Sequence, residues 1–211
     1  PGYTEVRRIV DVESTVHAAI ENALDVPHTA FLHRGLFRGT GKTNILRAVV
    51  TRTNDSVTTE YIGEPRPEGV AAKILSPSGG TVTHYDRFIM PSIAQVDYRI
   101  GDENHILVTS ICTPVDDFST RMYAVVRFRT RLPSLVVKAA LDPIAMRIFG
   151  QDAAILKKQT DAIRRFGGED YTSTEIDVMG PQVWRLLKRA AEGKPAKPGD
   201  EDWRREVQLE V

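Results

Sequence analysis

The hydrophobic pattern of the chain changes after Asn44, where apolar and polar residues begin to alternate with a period of two. Such alternation is typical of strands with one buried face. It predicts strands at 45–52, 57–62, 81–90, 93–100, 105–113 and 121–131. Short turns separate these segments, and residues 101–104 join two of them as a hairpin, so the strands should pair antiparallel.

Helical patterns flank the predicted strands. Residues 1–16 predict a strand or extended arm, and Ser14 or Thr15 is a suitable N-cap for a helix that runs to about Asp25. Pro27 should interrupt that helix and begin a second helical piece, because proline lacks an amide donor. After Pro133 the sequence predicts helices at 135–148, 151–166 and 181–191, with breaks at Pro143 and Gly150.

The order of helix, many strands and then long helices indicates an α+β fold in which an antiparallel sheet grips a helix. We expect residues 1–192 to form one domain. The charged tail of residues 193–211 contains prolines and is predicted to be a surface arm.

Composition excludes several function classes. The 28 acidic and 28 basic residues give zero net charge, so nothing predicts a nucleic-acid partner. The single cysteine, Cys112, cannot form an internal disulfide or hold an iron–sulfur cluster, and it fits a reducing, cytoplasmic compartment. No apolar run is long enough to predict a membrane span. The stretch 39–43 resembles a phosphate loop, but Leu36 stands where the motif requires glycine.

The strongest chemical signal is Asp25-x-x-His28-x-x-x-x-His33, which holds two of the five histidines. Imidazole is the commonest protein ligand of transition metals. Two histidines and one carboxylate leave coordination positions open, as non-haem iron(II) sites require. Asp152, at the start of a predicted helix, is the preferred carboxylate, and His84 is the reserve ligand.

From the residues alone, other interpretations stay open. His28 and His33 also fit ordinary half-buried histidines, and Asp152 fits a favourable charge at a helix N-terminus. His17, His84 and His105 fit structural or surface positions.

Two motifs carry a family resemblance. Asn22-x-x-Asp25-x-x-His28-x-x-x-x-His33, followed much later by Gln151-Asp152-x-x-Ile155-x-x-x-Gln159, resembles the catalytic domain of Rieske non-haem iron oxygenase α subunits. The resemblance is closest to the monooxygenase and O-demethylase branch and covers about residues 10–190. It implies a helix-grip (START-like) fold, with the sheet wrapped on a long C-terminal helix.

The resemblance also implies roles for individual residues. His28, His33 and Asp152 match the family's iron ligands. Asp25 matches the aspartate that links an iron-ligand histidine to the Rieske cluster of a neighbouring subunit, and Asn22 matches an asparagine near the iron. The implied reaction uses Fe(II), dioxygen and electrons from a reductase or ferredoxin to hydroxylate or oxidatively demethylate an aromatic or apolar substrate. The implied assembly is a homotrimer.

One part of the family pattern is missing, because the C-x-H and C-x-x-H ligands of the [2Fe–2S] domain do not occur in this sequence. The sequence therefore favours an excised catalytic domain. The alternatives are a domain that receives electrons from a separate cluster protein and a domain that is no longer an oxygenase. Two rival functions stay open. One is a helix-grip domain that binds lipids or small molecules without redox activity, and the other is a hydrolytic zinc site.

Overall fold

The structure, a computed structural model, describes residues 2–33, 45–66, 80–102, 104–130, 133–195 and 203–210. In this part of the chain there are four helices: α1 (Val16–Leu24), α2 (Val26–Phe31), α3 (Ser134–Phe166) and α4 (Gly180–Ala191). The eight strands are β1 (Thr4–Val12), β2 (Ile45–Arg52), β3 (Ser56–Ile62), β4 (Val82–Ile89), β5 (Ile93–Ile100), β6 (Asn104–Asp116), β7 (Ser119–Arg129) and β8 (Trp203–Glu210).

The strands form a single sheet in the order β1-β7-β6-β5-β4-β3-β2-β8, and every neighbouring pair is antiparallel. From β2 to β7, strands that are consecutive in sequence are neighbours in the sheet, whereas β8 returns to pair with β2. All six strands predicted from the alternating pattern are confirmed, and so is the α+β class with an antiparallel sheet.

One face of the sheet, called here the inner face, is covered by α1 and α4. Helix α1 packs against β4, β5, β6 and β7, while α4 packs against α1 and β3. The core between them joins Ala19 and Ile20 of α1, Val183 of α4, and Tyr61 and Phe88 of the sheet. This packing holds the C-terminal end of α1 over the middle of the sheet.

The break between the first two helices is confirmed. Thr15 is the N-cap of α1, where its hydroxyl accepts a hydrogen bond from the Ala18 amide at 3.1 Å. Helix α1 ends at Leu24, and Pro27 lies in the first turn of α2. Proline is well suited to that position because amides of the first turn have no partner within the helix.

The predicted break between two helices at 135–148 and 151–166 is wrong. Helix α3 is continuous through Pro143 and Gly150. Proline in a helix interior costs about 3 kcal/mol and glycine about 1 kcal/mol, and neither cost forces a break when the rest of the helix is packed. Val137, Leu156 and Ile163 are buried along its length, so both halves are held against the protein.

The predicted surface arm is also wrong for the residues from Trp203 to Glu210. They form β8, which pairs with β2 along the whole of that strand. Leu209 is fully buried in the core opposite Leu46, which explains why this charged segment joins the sheet. The stretch 39–43 lies outside the described residues. Among the helices that the structure describes, none combines the length and the apolar character needed to cross a membrane.

Candidate metal centre

Three predicted ligands come together at the end of α1. His28 lies in α2, His33 follows the C-cap of that helix, and Asp152 projects from the middle of α3. The Nε2 atoms of the two histidines are 3.1 Å apart, and Asp152 Oδ1 lies 3.7 Å from His28 Nε2 and 3.1 Å from His33 Nε2. In the described part of the chain, these side chains form the one group of three or more His, Cys, Asp or Glu residues compact enough to hold a metal ion.

The local sequence positions the two histidines. Asp25 is extended between the helices, with φ −87° and ψ 97°, and this bend turns α2 away from the axis of α1. His28 lies one turn into α2, and its carbonyl accepts a hydrogen bond from the Leu32 amide at 2.8 Å. His33 follows directly, so the spacing of five residues brings both imidazoles to one side.

Hydrogen bonds fix the orientation of both imidazoles. His28 Nδ1 donates to the backbone carbonyl of Asp25, and His33 Nδ1 donates to Gln151 Oε1 at 3.0 Å. A carbonyl oxygen only accepts, so each Nδ1 carries the proton and each Nε2 presents a lone pair. Such outer hydrogen bonds are the usual means by which proteins orient metal-binding histidines.

The neighbourhood of Asp152 fits a cation. Its Oδ1 is buried without a hydrogen-bond partner among the described residues, and it faces the two Nε2 lone pairs. Without a metal ion, a proton held between these atoms reduces the repulsion between the carboxylate of Asp152 and the two Nε2 lone pairs. Burial lowers the pKa of His28, whereas the carboxylate of Asp152 and the hydrogen bond to Gln151 outweigh the burial of His33 and raise its pKa. A metal ion at the three atoms would replace that proton.

Two imidazole nitrogens and one carboxylate oxygen suit Fe(II), and they also suit Zn²⁺. The three ligands approach from α2, the segment after it and α3, which leaves the remaining coordination positions for water or substrate. His84 is not part of this group, because its two ring nitrogens contact Glu64 and Asp86 instead. His84, the reserve ligand, is therefore not needed to complete a group of three candidate ligands.

Asp25 is next to the centre, but its contact with His28 differs from the expected one. The backbone carbonyl of Asp25 accepts a hydrogen bond from His28 Nδ1, while the carboxylate oxygen Oδ2 of Asp25 lies 4.0 Å from the same nitrogen. Burial and the charge of Asp177 raise the pKa of Asp25 to about 6. Asn22 lies half-buried in α1, one turn before Asp25, and its role near the metal stays a prediction.

The other histidines are buried for different reasons. His17 packs against Trp184, with ring centroids 4.7 Å apart. His105 Nε2 donates to Asp97 Oδ1 at 2.8 Å. Sequence reasoning missed the pairing of His84 with Glu64 and Asp86. The one signal for it was the spacing of His84 and Asp86, which puts both on the same face of a strand.

A family comparison agrees with this geometry. The family model described as "Vanillate O-demethylase oxygenase C-terminal domain" matches residues 12–193. The chain belongs to this family. Its members are the catalytic domains of Rieske-type oxygenases, so the recognition made from the two motifs is confirmed. No curated protein sequence is significantly similar to this chain.

Solved structures share the fold of this catalytic domain. Dicamba monooxygenase bound to dicamba is 16% identical, with a TM-score of 0.74, and the match covers 91% of this chain and 59% of that chain. NdmA of Pseudomonas putida CBB5 with caffeine is 17% identical, with a TM-score of 0.68, over 91% of this chain and 53% of that one. NdmB of the same organism is 15% identical, with a TM-score of 0.65, over 100% and 57%. The chain thus spans between half and three-fifths of these proteins.

Proposed function

We propose that this chain is the mononuclear-iron catalytic domain of a Rieske-type oxygenase. The observation that carries the proposal is the group of His28, His33 and Asp152, whose ligand atoms lie within 4.8 Å of one another. Fe(II) bound there would supply dioxygen activation, which organic side chains cannot provide. Family membership supports oxygenase chemistry, and the donor set supports iron.

The proposed reaction is hydroxylation or oxidative demethylation of an aromatic or apolar substrate. For a methyl ether, R–O–CH₃, dioxygen, two electrons and two protons give R–OH, formaldehyde and water. The electrons come from a [2Fe–2S] cluster on another domain or protein, itself supplied by a reductase or ferredoxin, since one cysteine cannot hold such a cluster. The methyl ether in the name of the matching family supports this class of substrate.

Each site residue has a proposed task. The Asp25 carbonyl and Gln151 hold the two imidazoles with their Nε2 lone pairs toward the metal. The Asp25 carboxylate, beside the His28 ring, is the proposed route for electrons from the cluster. Asn22, one turn earlier in α1, is proposed to lie near the iron without being a firm ligand.

The architecture proposed for the whole protein follows the family. The sheet and its covering helices form a helix-grip domain, with the substrate between the sheet and the last helices. Three copies form a homotrimer, so that each cluster serves the iron of the next subunit. A cytoplasmic location accords with the single reduced cysteine, Cys112, which is buried.

The decisive experiment is metal content after anaerobic reconstitution with Fe(II). We expect one iron per chain, and we expect Asp152→Ala and His28→Ala to lose it, because two remaining ligands hold iron poorly. The matched control is Asp161→Ala, which removes an exposed aspartate from the same helix as Asp152. It should keep its iron.

The possible outcomes separate the rival functions. Iron retained by Asp152→Ala would contradict the ligand set. A protein that takes up no iron but binds hydrophobic molecules would be a helix-grip binding domain. Tight zinc with activity in the absence of dioxygen would indicate a hydrolase.

A further inference from the structure

A second buried polar group lies on the inner face of the sheet, outside the metal ligands. It consists of Thr59 and Tyr61 on β3, His84 and Asp86 on β4, and Tyr98 on β5, and is called here the inner-face patch. Register pairs Tyr61 with His84 and His84 with Tyr98, while Thr59 is opposite Asp86. These side chains therefore share one face of three neighbouring strands.

The imidazole of His84 is the centre of the patch. Its ring lies 4.7 Å from the Tyr61 ring and 5.0 Å from the Tyr98 ring, measured between centroids. His84 Nδ1 is 2.6 Å from Glu64 Oε2, and Nε2 is 2.9 Å from Asp86 Oδ1. Burial alone would lower the pKa of His84, but the two carboxylates outweigh it and raise the pKa to about 10. Burial raises the pKa of Asp86, and the charge of His84 acts against that rise. With Glu64 and Asp86 both ionised, these two carboxylates and the protonated His84 together carry one net negative charge.

Two hydroxyl groups in the patch have no partner among the described residues. Thr59 Oγ1 is fully buried, and the Tyr61 hydroxyl belongs to a side chain that is 2% exposed. Burial and then the charge of Asp86 raise the pKa of Tyr61, so the hydroxyl lies near that carboxylate and can share it with a bound molecule. Buried hydroxyls without partners cost free energy, and a bound molecule that supplies the missing partner removes this cost.

The patch is close to the metal centre and can be approached from one side. The charge of Asp86 contributes to the raised pKa of Asp25 and acts against the lowering of the His28 pKa. Helix α1, whose C-cap is Asp25, packs on β4 and β5, the strands that carry His84, Asp86 and Tyr98. Val96 and Tyr98 of β5, on the same face, are only half-buried, so the patch is less tightly covered there.

We propose that the inner-face patch binds the polar end of the substrate and selects an aromatic ring with a hydrogen-bond donor, such as a phenol hydroxyl or a ring N–H. This inference rests on the proposed function, whose substrate class it narrows. Asp86 accepts the donor, and the hydroxyls of Tyr61 and Thr59 complete the contact. A substrate carboxylate is excluded, because a buried group that is already negative repels it.

Three probes of similar size test this selectivity. The probes are 2-methoxyphenol, which has a donor, methoxybenzene, which has none, and 2-methoxybenzoate, which has a carboxylate. Their dissociation constants are measured by calorimetry at pH 7.5 without dioxygen, on the full chain with and without Fe(II). We expect 2-methoxyphenol to bind about tenfold more tightly than methoxybenzene, the factor typical of a hydrogen bond to a charged group, and 2-methoxybenzoate to bind most weakly.

The variant Asp86→Asn should lose the preference for 2-methoxyphenol over methoxybenzene. The matched control is Asp97→Asn, which changes a buried aspartate paired with a histidine on the opposite face of the next strand. It should keep the preference. Tyr61→Phe retains the buried ring and removes only the hydroxyl, so it tests the same contact if Asp86→Asn does not fold.

Several results would overturn the inference. They are equal binding of 2-methoxyphenol and methoxybenzene, no binding of any probe, or equal effects of the Asp86 and Asp97 substitutions. Because binding is measured without turnover, this test is separate from the oxygenase proposal. A preserved preference without iron-dependent product formation would contradict only the oxygenase, and product formation without the preference would contradict only the patch.

Discussion

The three candidate metal ligands owe their geometry to hydrogen-bond acceptors that cannot donate. The Asp25 carbonyl and Gln151 Oε1 each accept a hydrogen bond from the Nδ1 atom of one imidazole, so both Nε2 atoms face Asp152. A backbone carbonyl is a more constant acceptor than a carboxylate, because it does not titrate. The Asp25 carboxylate, which lies beside the His28 ring, is therefore not needed to orient that ring.

Glu21 offers a test of the charge distribution around α1. Burial and the charges of Asp177 and Asp25 raise its pKa to about 7. The unfolded chain releases this proton near the ordinary pKa of about 4.3, whereas the folded protein keeps it to about pH 7, so stability falls as pH rises through this window. We expect Glu21→Gln to raise the free energy of unfolding by about 1–3 kcal/mol at pH 8 and to leave it unchanged at pH 4.

Urea unfolding at the two pH values, in metal-free protein, measures this difference. Glu13→Gln is the control, because Glu13 is exposed and its hydrogen bond to Lys157 lowers its pKa. That substitution should give no stabilisation at pH 8. If Glu21→Gln were destabilising at both pH values, the ionised carboxylate would be well accommodated and the raised pKa would be wrong.

The sequence predicted the grouping of His28, His33 and Asp152 better than the surroundings of His84. His28 and His33 are close in sequence, so a short helix suffices to bring them together. Asp152 was chosen for its place at the start of a predicted helix and then through the second family motif. The contacts of His84 depend on strand register and on Glu64, which follows β3. Register is set by the packing of the whole sheet, and a single sequence does not contain it in readable form.

At the scale of elements, strands were predicted more accurately than long helices and the C-terminal tail. The alternating pattern is local, and each predicted strand formed where it was expected. Pro143 and Gly150 predicted a break because local propensity was weighed without tertiary packing, which holds α3 together on both sides. In the tail, the many charged residues led to the prediction of a surface arm, although the segment forms a strand that is held in the core by the buried Leu209.

Strand β8 can be tested through Leu209. Because this side chain is fully buried opposite Leu46, Leu209→Ala should lower the free energy of unfolding by about 2–5 kcal/mol. Gln208→Ala, at the exposed neighbouring position, should change it by less than about 0.5 kcal/mol. Both values come from urea unfolding followed by circular dichroism. Equal, small effects would mean that β8 is not docked on the sheet in solution.

At the scale of the whole molecule, the proposed iron centre would be one half of a redox system. The chain spans 53% of NdmA and 59% of dicamba monooxygenase, and its one cysteine is buried in the core. The proposed reaction consumes two electrons for each dioxygen, so they must enter from outside these residues. Asp25 is half-buried beside His28, and we propose that an external electron donor approaches the metal centre there.

The variant Asp25→Asn separates iron binding from electron delivery. The backbone carbonyl that orients His28 is unchanged by this substitution, so we expect full iron content. We also expect an unchanged yield of product in a single turnover driven by hydrogen peroxide, which supplies dioxygen together with both electrons and both protons. Sustained turnover with a Rieske [2Fe–2S] protein as donor should fall 10–100-fold, the range typical of partners that support metal ligands. Glu21→Gln, one turn away in the same group of acidic residues, should retain sustained turnover. Unchanged sustained turnover in Asp25→Asn would remove Asp25 from the electron route, and lost iron would assign its side chain a structural role at the centre.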